Sequence, residues 1–133
     1  MKYQLEQCIG SRLRRLSRIA DGEIRKVLGE HNITENQMTI LFTLHELGKV
    51  EQGKIGEVQC LERSTVSRNI KLLEKQNLLY RTAKYRPEVE LTAEGMELVK
   101  VLIPKWEKAM DVLVSKLQDE GLSNLQELEA RMR

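Results

Sequence analysis

This sequence predicts a mainly α-helical chain with one small β-hairpin, and three observations point there. Apolar residues recur every third or fourth position along most of the 133 residues. The period changes to two around residues 78–92, where "LLYRTA" and "EVELT" flank a Pro-containing turn, "KYRPE". A surplus of positive charge is confined to one segment. "RSTVSRNIKLLEKQNLLYRTAKYR", residues 63–86, holds seven Lys and Arg against one acid, Glu74, a local balance of +6 in a chain whose total is +2.

The elements follow in order. Leu5, Ile9, Leu13, Leu16, Ala20, Ile24 and Val27 mark one face of a long first helix that ends near Gly29. A second helix opens at "TENQ", where Thr34 and Gln37 have capping-box spacing; its inner face carries Met38, Leu41, Phe42 and His45, and Gly48 stops it. An apolar link at Val50 leads to a short helix around "EQGKIGEVQ", weakened by Gly53 and Gly56 at about 1 kcal/mol each. The next helix, from about Ser64 to Gln76, turns Val66, Ile70 and Leu73 inward and ends at Asn77, a residue that tolerates left-handed backbone. After the hairpin, Thr92 caps a long helix to about Leu117, carrying Met96, Val99, Leu102, Ile103, Trp106, Met110, Leu113 and Leu117, with a kink expected at Pro104. Gly121 separates a last helix with Leu122, Leu125 and Leu128.

Length and composition limit what such a chain does. At 133 residues it makes a single domain, 1–133, with a proper core. The N-terminus lacks an apolar secretion signal, no stretch approaches a membrane span of about 18 apolar residues, and Cys8 and Cys60 stand far apart, so a reduced, cytoplasmic chain without membrane contact is expected. The chain has no Gly-rich phosphate loop, no nucleophile elbow and two histidines without triad order, so it is read as no enzyme and assigned no cofactor. Cys8, Cys60, His31 and His45 lack zinc-ligand spacing, so no metal site is assigned.

Two short helices, a tight turn and a hairpin make a winged helix-turn-helix, and the charge lies where that fold meets double-stranded DNA. Ser64, Ser67, Arg68, Lys71 and Lys75 recur at spacings of three and four, opposite Val66, Ile70 and Leu73, leaving one face free for a major groove. Arg68 suits a guanine edge, Asn69 an adenine, and Arg63, Ser64, Thr65, Ser67 and Lys71 suit bases or phosphates. Arg81, Lys84 and Arg86 place a second cationic group on the wing. The opposing reading is a solvated basic face, but the charge falls on both elements of the motif.

"LERSTVSRNIKLLEKQNLLYR" resembles the recognition helix and wing entry of MarR-type regulators, and "LTAEGMELVKVLIPKWEKA" resembles their helix after the wing. The resemblance implies a DNA-binding lobe at 34–92 and dimerisation helices at 1–30 and 94–133. It implies a homodimer, Leu5, Ile9, Leu113, Leu117, Leu122, Leu125 and Leu128 being candidates for the interface. It further implies a palindromic operator, repression as the usual mode, and often a small aromatic or anionic effector, whose binding residues are left unassigned. Ser64, Thr65, Ser67 and Arg68 sit where the family reads DNA, and Arg86 matches the arginine of its Asp-x-Arg wing motif, whose acid is replaced by Lys84. The stretch from Arg86 to "LT" is one residue shorter than usual, and Cys60 and Asn77 stand at common Gly positions.

Two alternatives remain. Organic-hydroperoxide regulators of this superfamily carry a sensing cysteine in the first helix, but register from "NIT" places it nearer Gly10 than Cys8, so Cys8 reads as a small, partly buried core or interface residue. A winged helix that docks on proteins would show an apolar or mixed recognition face, whereas this one is polar and basic.

Overall fold

The computed structural model describes residues 1–133. A 3₁₀ turn at Leu5–Gln7 precedes α1 (Ile9–Leu28), α2 (Glu35–Leu47), β1 (Val50–Glu51), α3 (Gln52–Gln59), α4 (Arg63–Lys75), β2 (Leu79–Arg81), β3 (Glu88–Leu91) and α5 (Ala93–Met132). The chain divides into two compact units, one made of residues 1–27 and 105–133, the other of residues 28–104.

The central unit, 28–104, is a winged helix-turn-helix. Thr34 begins α2 as the sequence predicts: its hydroxyl accepts from the Gln37 N–H at 3.2 Å, and Gln37 Oε1 accepts from the Thr34 N–H at 3.1 Å. Such a cap contributes about 1 kcal/mol. Helix α2 buries Met38, Ile40, Leu41 and Leu44, whereas His45 is exposed, so the expectation that it faces inward is corrected. The same unit also buries Ile55 of α3, Val66, Ile70 and Leu73 of α4, Leu79 and Val89 of the sheet, and Val99 and Leu102 of α5, each at most 2 % exposed. Burying one such side chain contributes roughly 1.5–3 kcal/mol.

The turns on both sides of α4 share one construction. Cys60 has φ 52° and ψ 42°; Leu61 N–H donates to the Gly56 carbonyl at 3.0 Å, and Cys60 N–H to the Glu57 carbonyl at 3.4 Å. At the other end Asn77 has φ 60°, Leu78 N–H donates to the Leu73 carbonyl at 3.0 Å, and Asn77 N–H to the Glu74 carbonyl at 2.9 Å. These are Schellman closures with left-handed residues that are not glycine. Gly56 gives the first turn room, because a Cβ there would lie 3.1 Å from the Leu61 carbonyl oxygen and press it back by a few tenths of an ångström.

The sheet has three antiparallel strands in the order β1-β3-β2, pairing Val50 with Val89 and Leu79 with Leu91. Val50, expected as a link, is thus an edge strand. Thr92 caps α5, accepting from the Gly95 N–H at 3.0 Å, while its own hydroxyl donates to the Asn77 carbonyl at 2.6 Å.

In the unit formed by residues 1–27 and 105–133, Ile24 and Ala109 are buried. Glu23 is held 3.0 Å from Lys26 and 3.6 Å from Lys116. The hydrogen bond from Lys26 lowers the Glu23 pKa against desolvation, which raises it, and the nearby charges of both lysines lower it further. The break in α5 is at Gln118, where φ is 60° and ψ 180°; Pro104 stays within helix, and Gly121 lies beyond the break. The expected separator at Gly121 is therefore corrected by three residues. Its missing side chain has another use, since a Cβ there would meet Leu117 Cβ at 3.0 Å. Leu5, Ile9, Leu117, Leu125 and Leu128 are exposed, and Leu113 and Leu122 half-buried.

Candidate nucleic-acid interface

Helix α4 buries Val66, Ile70 and Leu73 and leaves Arg63, Ser64, Arg68, Lys71 and Lys75 exposed, with Thr65 and Ser67 half-buried. Ser64, Arg68, Lys71 and Lys75 fall at intervals of four, three and four residues, and so line one strip about 16 Å long at 1.5 Å per residue. None of Arg63, Arg68, Lys71 and Lys75 is engaged by a carboxylate. A helix with one apolar face anchored and one cationic, hydroxyl-bearing face free has the dimensions and donors that a major groove accepts.

Two residues of the predicted set are otherwise occupied. Asn69 is 7 % exposed, and its Oδ1 accepts from Gln37 Nε2 at 3.2 Å. It lies on the packed side of α4, so its reading as an adenine contact is corrected. Arg81 is half-buried on β2 and holds Glu74 of α4 at 3.0 Å. Its charge is already answered within the fold, which removes it from the free wing cations.

The wing proper is the loop from Thr82 to Pro87. It is closed at its base by the Thr82 N–H donating to the Glu88 carbonyl at 3.0 Å and the Glu88 N–H donating to Thr82 Oγ1 at 3.1 Å. The Gln52 N–H donates to the Pro87 carbonyl at 3.0 Å, tying the loop to the start of α3. Lys84, Tyr85 and Arg86 are exposed at the tip. The Arg86 guanidinium lies 5.6 Å from the centre of the Tyr85 ring, within cation–π range. Arg86 also has φ 44°, a left-handed conformation that a non-glycine residue adopts only at some cost. Lower down, the Tyr80 hydroxyl donates to the Glu90 carboxylate across β2 and β3; that hydrogen bond raises the tyrosine pKa, with desolvation and the carboxylate charge adding to it. A cleft of about 870 Å³ separates the wing from the beginnings of α3 and α4, with Gln52, Gly56, Arg63, Ser67, Arg86 and Pro87 in its lining.

The MarR family model matches residues 33–85, from the approach to α2 to the wing tip. Solved structures extend the likeness over nearly the whole chain. BpsR of Bordetella bronchiseptica, described for regulation of its DNA binding by 6-hydroxynicotinic acid, is 21 % identical with a TM-score of 0.87, covering 98 % of this chain and 96 % of its own. A MarR transcriptional regulator from Methanosarcina mazei Go1 is 21 % identical with a TM-score of 0.75, covering 93 % and 86 %. NadR in complex with 4-hydroxyphenylacetate is 27 % identical with a TM-score of 0.79, covering 93 % of each chain. The chain is thus similar to the MarR family through residues 33–85 and shares its fold with these structures. No curated protein sequence matches it.

Both cysteines are free and exposed, Cys8 between the 3₁₀ turn and α1 and Cys60 in the helix-turn-helix turn. Of the two places expected for Cys8, core or dimer interface, its exposure excludes the core. His, Cys, Asp and Glu side chains form no group of three that could hold a metal. No helix is long and apolar enough to cross a membrane. Sequence reasoning missed Gly95, whose added Cβ would sit 1.9 Å from the Leu78 carbonyl oxygen. It read Gln37 as a helix cap alone, although the same side chain reaches Asn69; its carboxamide at the third helical position, facing a helix with one polar residue among apolar ones, was the available signal.

Proposed function

We propose that this chain is a MarR-type regulator, a sequence-specific double-stranded DNA-binding repressor that acts in the cytoplasm as a homodimer on a palindromic operator. The observation that carries the reading is the strip of Ser64, Arg68, Lys71 and Lys75 on α4, exposed and free of acidic partners, beside a wing that carries Lys84 and Arg86. Side-chain hydroxyls and one central arginine would read base edges, and the outer lysines would meet phosphates. Dimerisation would cover Leu5, Ile9, Leu117, Leu125 and Leu128, large apolar side chains at 38 to 81 % exposure in one chain. Two copies related by a two-fold axis would present two α4 helices to successive major grooves.

A small aromatic or anionic effector is part of the proposal. The ligands of two structurally similar proteins, 6-hydroxynicotinic acid for BpsR and 4-hydroxyphenylacetate for NadR, are both hydroxylated aromatic acids. They support a compound of that class as the signal.

The test is selection of binding sites from a randomised duplex pool by the purified protein, followed by affinity measurement on the selected duplex over a salt series. A palindromic consensus, a slope of log affinity on log salt near −0.9 per phosphate contact, and loss of binding with hydroxylated aromatic acids are the expected results. Absence of any enriched sequence would refute the reading.

A further inference from the structure

The side chain of Gln37 makes two connections at once. Its Oε1 accepts from the Thr34 N–H at 3.1 Å, closing the cap of α2, and its Nε2 donates to Asn69 Oδ1 of α4 at 3.2 Å. Both residues are nearly sealed from solvent, Gln37 at 4 % and Asn69 at 7 % exposure. Asn69 immediately follows Arg68 and breaks an otherwise apolar packed face made by Val66, Ile70 and Leu73. We propose that the Gln37–Asn69 hydrogen bond fixes the rotational seat of α4, making both residues positioning residues for the sequence-specific contacts of Ser64 and Arg68.

The apolar part of that face cannot do this alone. Attraction between Val66, Ile70 or Leu73 and their neighbours is nearly non-directional and tolerates small rotations. A hydrogen bond is directional and weakens steeply out of line. A rotation of about 20° carries side-chain tips at the roughly 5–6 Å outer radius of a helix through about 2 Å. That displacement takes a bidentate arginine out of reach of its base, while a lysine still finds some phosphate oxygen. A polar pair in the core adds little net stability over an apolar pair of the same shape, so its contribution here lies in selecting one arrangement. The bond also joins the segment that enters α2 to the middle of α4, so movement at Thr34 is passed directly to the residue beside Arg68.

This inference rests on the DNA-reading function proposed above. The test uses the full-length protein, the duplex it selects from a random pool, and a scrambled duplex of equal length. Asn69→Leu and Gln37→Met each remove the bond, and their combination removes both partners. Gln37→Glu retains it: one carboxylate oxygen still accepts from the Thr34 N–H, and the Asn69 amide, turned over, donates to the other. Each single variant and the double variant should lose about tenfold in affinity for the selected duplex, the scale of one well-made base contact, and none for the scrambled one. The double variant should lose no more than either single, and Gln37→Glu should keep the wild-type ratio. Gln37→Met also removes the acceptor for the Thr34 N–H, so a Tm of the double variant lowered by no more than that half of the α2 cap accounts for separates positioning from general support of the fold. Equal loss on both duplexes, or a wild-type ratio in Asn69→Leu and Gln37→Met, overturns the inference and leaves the DNA-reading function standing. If Asn69→Leu fails to fold, Gln37→Met decides the matter from the other partner. A wild-type protein that does not distinguish the two duplexes overturns both proposals together.

Discussion

Arg81 on β2 holds Glu74 on α4 at 3.0 Å, so the entry strand of the wing is tied to the last turn of the helix beside it. The pair is about one-third exposed, and solvent screening limits its worth to about 0.5–1 kcal/mol. Arg81→Ala should lower stability by about that amount. It should leave the salt slope of DNA binding unchanged, because a guanidinium committed to Glu74 displaces no counterion from a phosphate. A slope reduced by about one in salt-titrated binding isotherms would return Arg81 to the interface.

Among the glycines, Gly95 has the least room for a side chain. A methyl group there would meet the Leu78 carbonyl oxygen at 1.9 Å, and that carbonyl cannot retreat freely because it accepts from the Thr92 N–H at 3.1 Å. Gly95→Ala should therefore force the start of α5 away from the end of α4 and cost about 3 kcal/mol. Calorimetry should record this as a fall in Tm of roughly 10 °C. A variant within two degrees of wild type would mean that α5 shifts without strain.

The legible parts of the sequence were those where one local rule decided the outcome. The capping box at Thr34 and Gln37, the Asn77 turn and the Thr92 cap each involve a few residues whose hydrogen bonds close within six positions of chain, and the structure has all three. What was hidden depends on distant partners. Asn69 on α4 is polar by type, and only its contact with Gln37, thirty-two residues earlier, makes it a core residue. Arg81 counted as free charge until Glu74 was placed beside it. Val50 became a strand because Val89 lies opposite, which no local pattern states. In α5, Pro104 follows the first turns without breaking the helix, and the interruption falls at Gln118, a residue of ordinary helix propensity; we have no physical account of that position.

The exposed leucines of the terminal helices lead to a prediction about assembly. Leu125 and Leu128 are 44 % and 38 % exposed and three residues apart on the helical segment after Gln118. Leu125→Asp with Leu128→Asp would place two carboxylates in the proposed dimer interface, each costing several kcal/mol if buried unpaired. Sedimentation should show a wild-type dimer and a monomeric double variant at micromolar concentration. A wild-type monomer would end the dimeric reading, and an undisturbed dimer of the variant would move the interface elsewhere.

Position along α4 should separate reading from anchoring. Arg68 lies near the middle of the exposed strip and Lys75 is the last helical residue. Arg68→Ala should cost about 1–3 kcal/mol on the selected operator and relax base preference at one position, whereas Lys75→Ala should weaken all duplexes alike. Affinity measurements on specific and scrambled duplexes distinguish the two. Equal losses for Arg68→Ala would make it a phosphate contact.

The wing tip carries a residue with left-handed backbone, and the geometry of Arg86 makes its role testable. Its φ of 44° is a strained conformation held at an exposed tip, with the guanidinium near the exposed Tyr85 ring and a lysine, Lys84, two residues before it. A loop that sustains such a conformation presents the arginine outward, where a narrow minor groove with its concentrated negative potential would receive it. Arg86→Ala should cost about 1–2 kcal/mol on an operator with A·T flanks and lower the salt slope by roughly one. Arg86→Gly should lose the same contact while gaining stability from the relieved backbone, so the two variants should agree in DNA binding and differ in Tm. Lys84→Asp should remove a phosphate contact yet sharpen the preference for A·T flanks, because a carboxylate two residues away would restrain the Arg86 side chain. Binding isotherms over a salt series on A·T-flanked and G·C-flanked operators decide the matter: unchanged affinity and slope in Arg86→Ala would mean that the wing does not reach DNA.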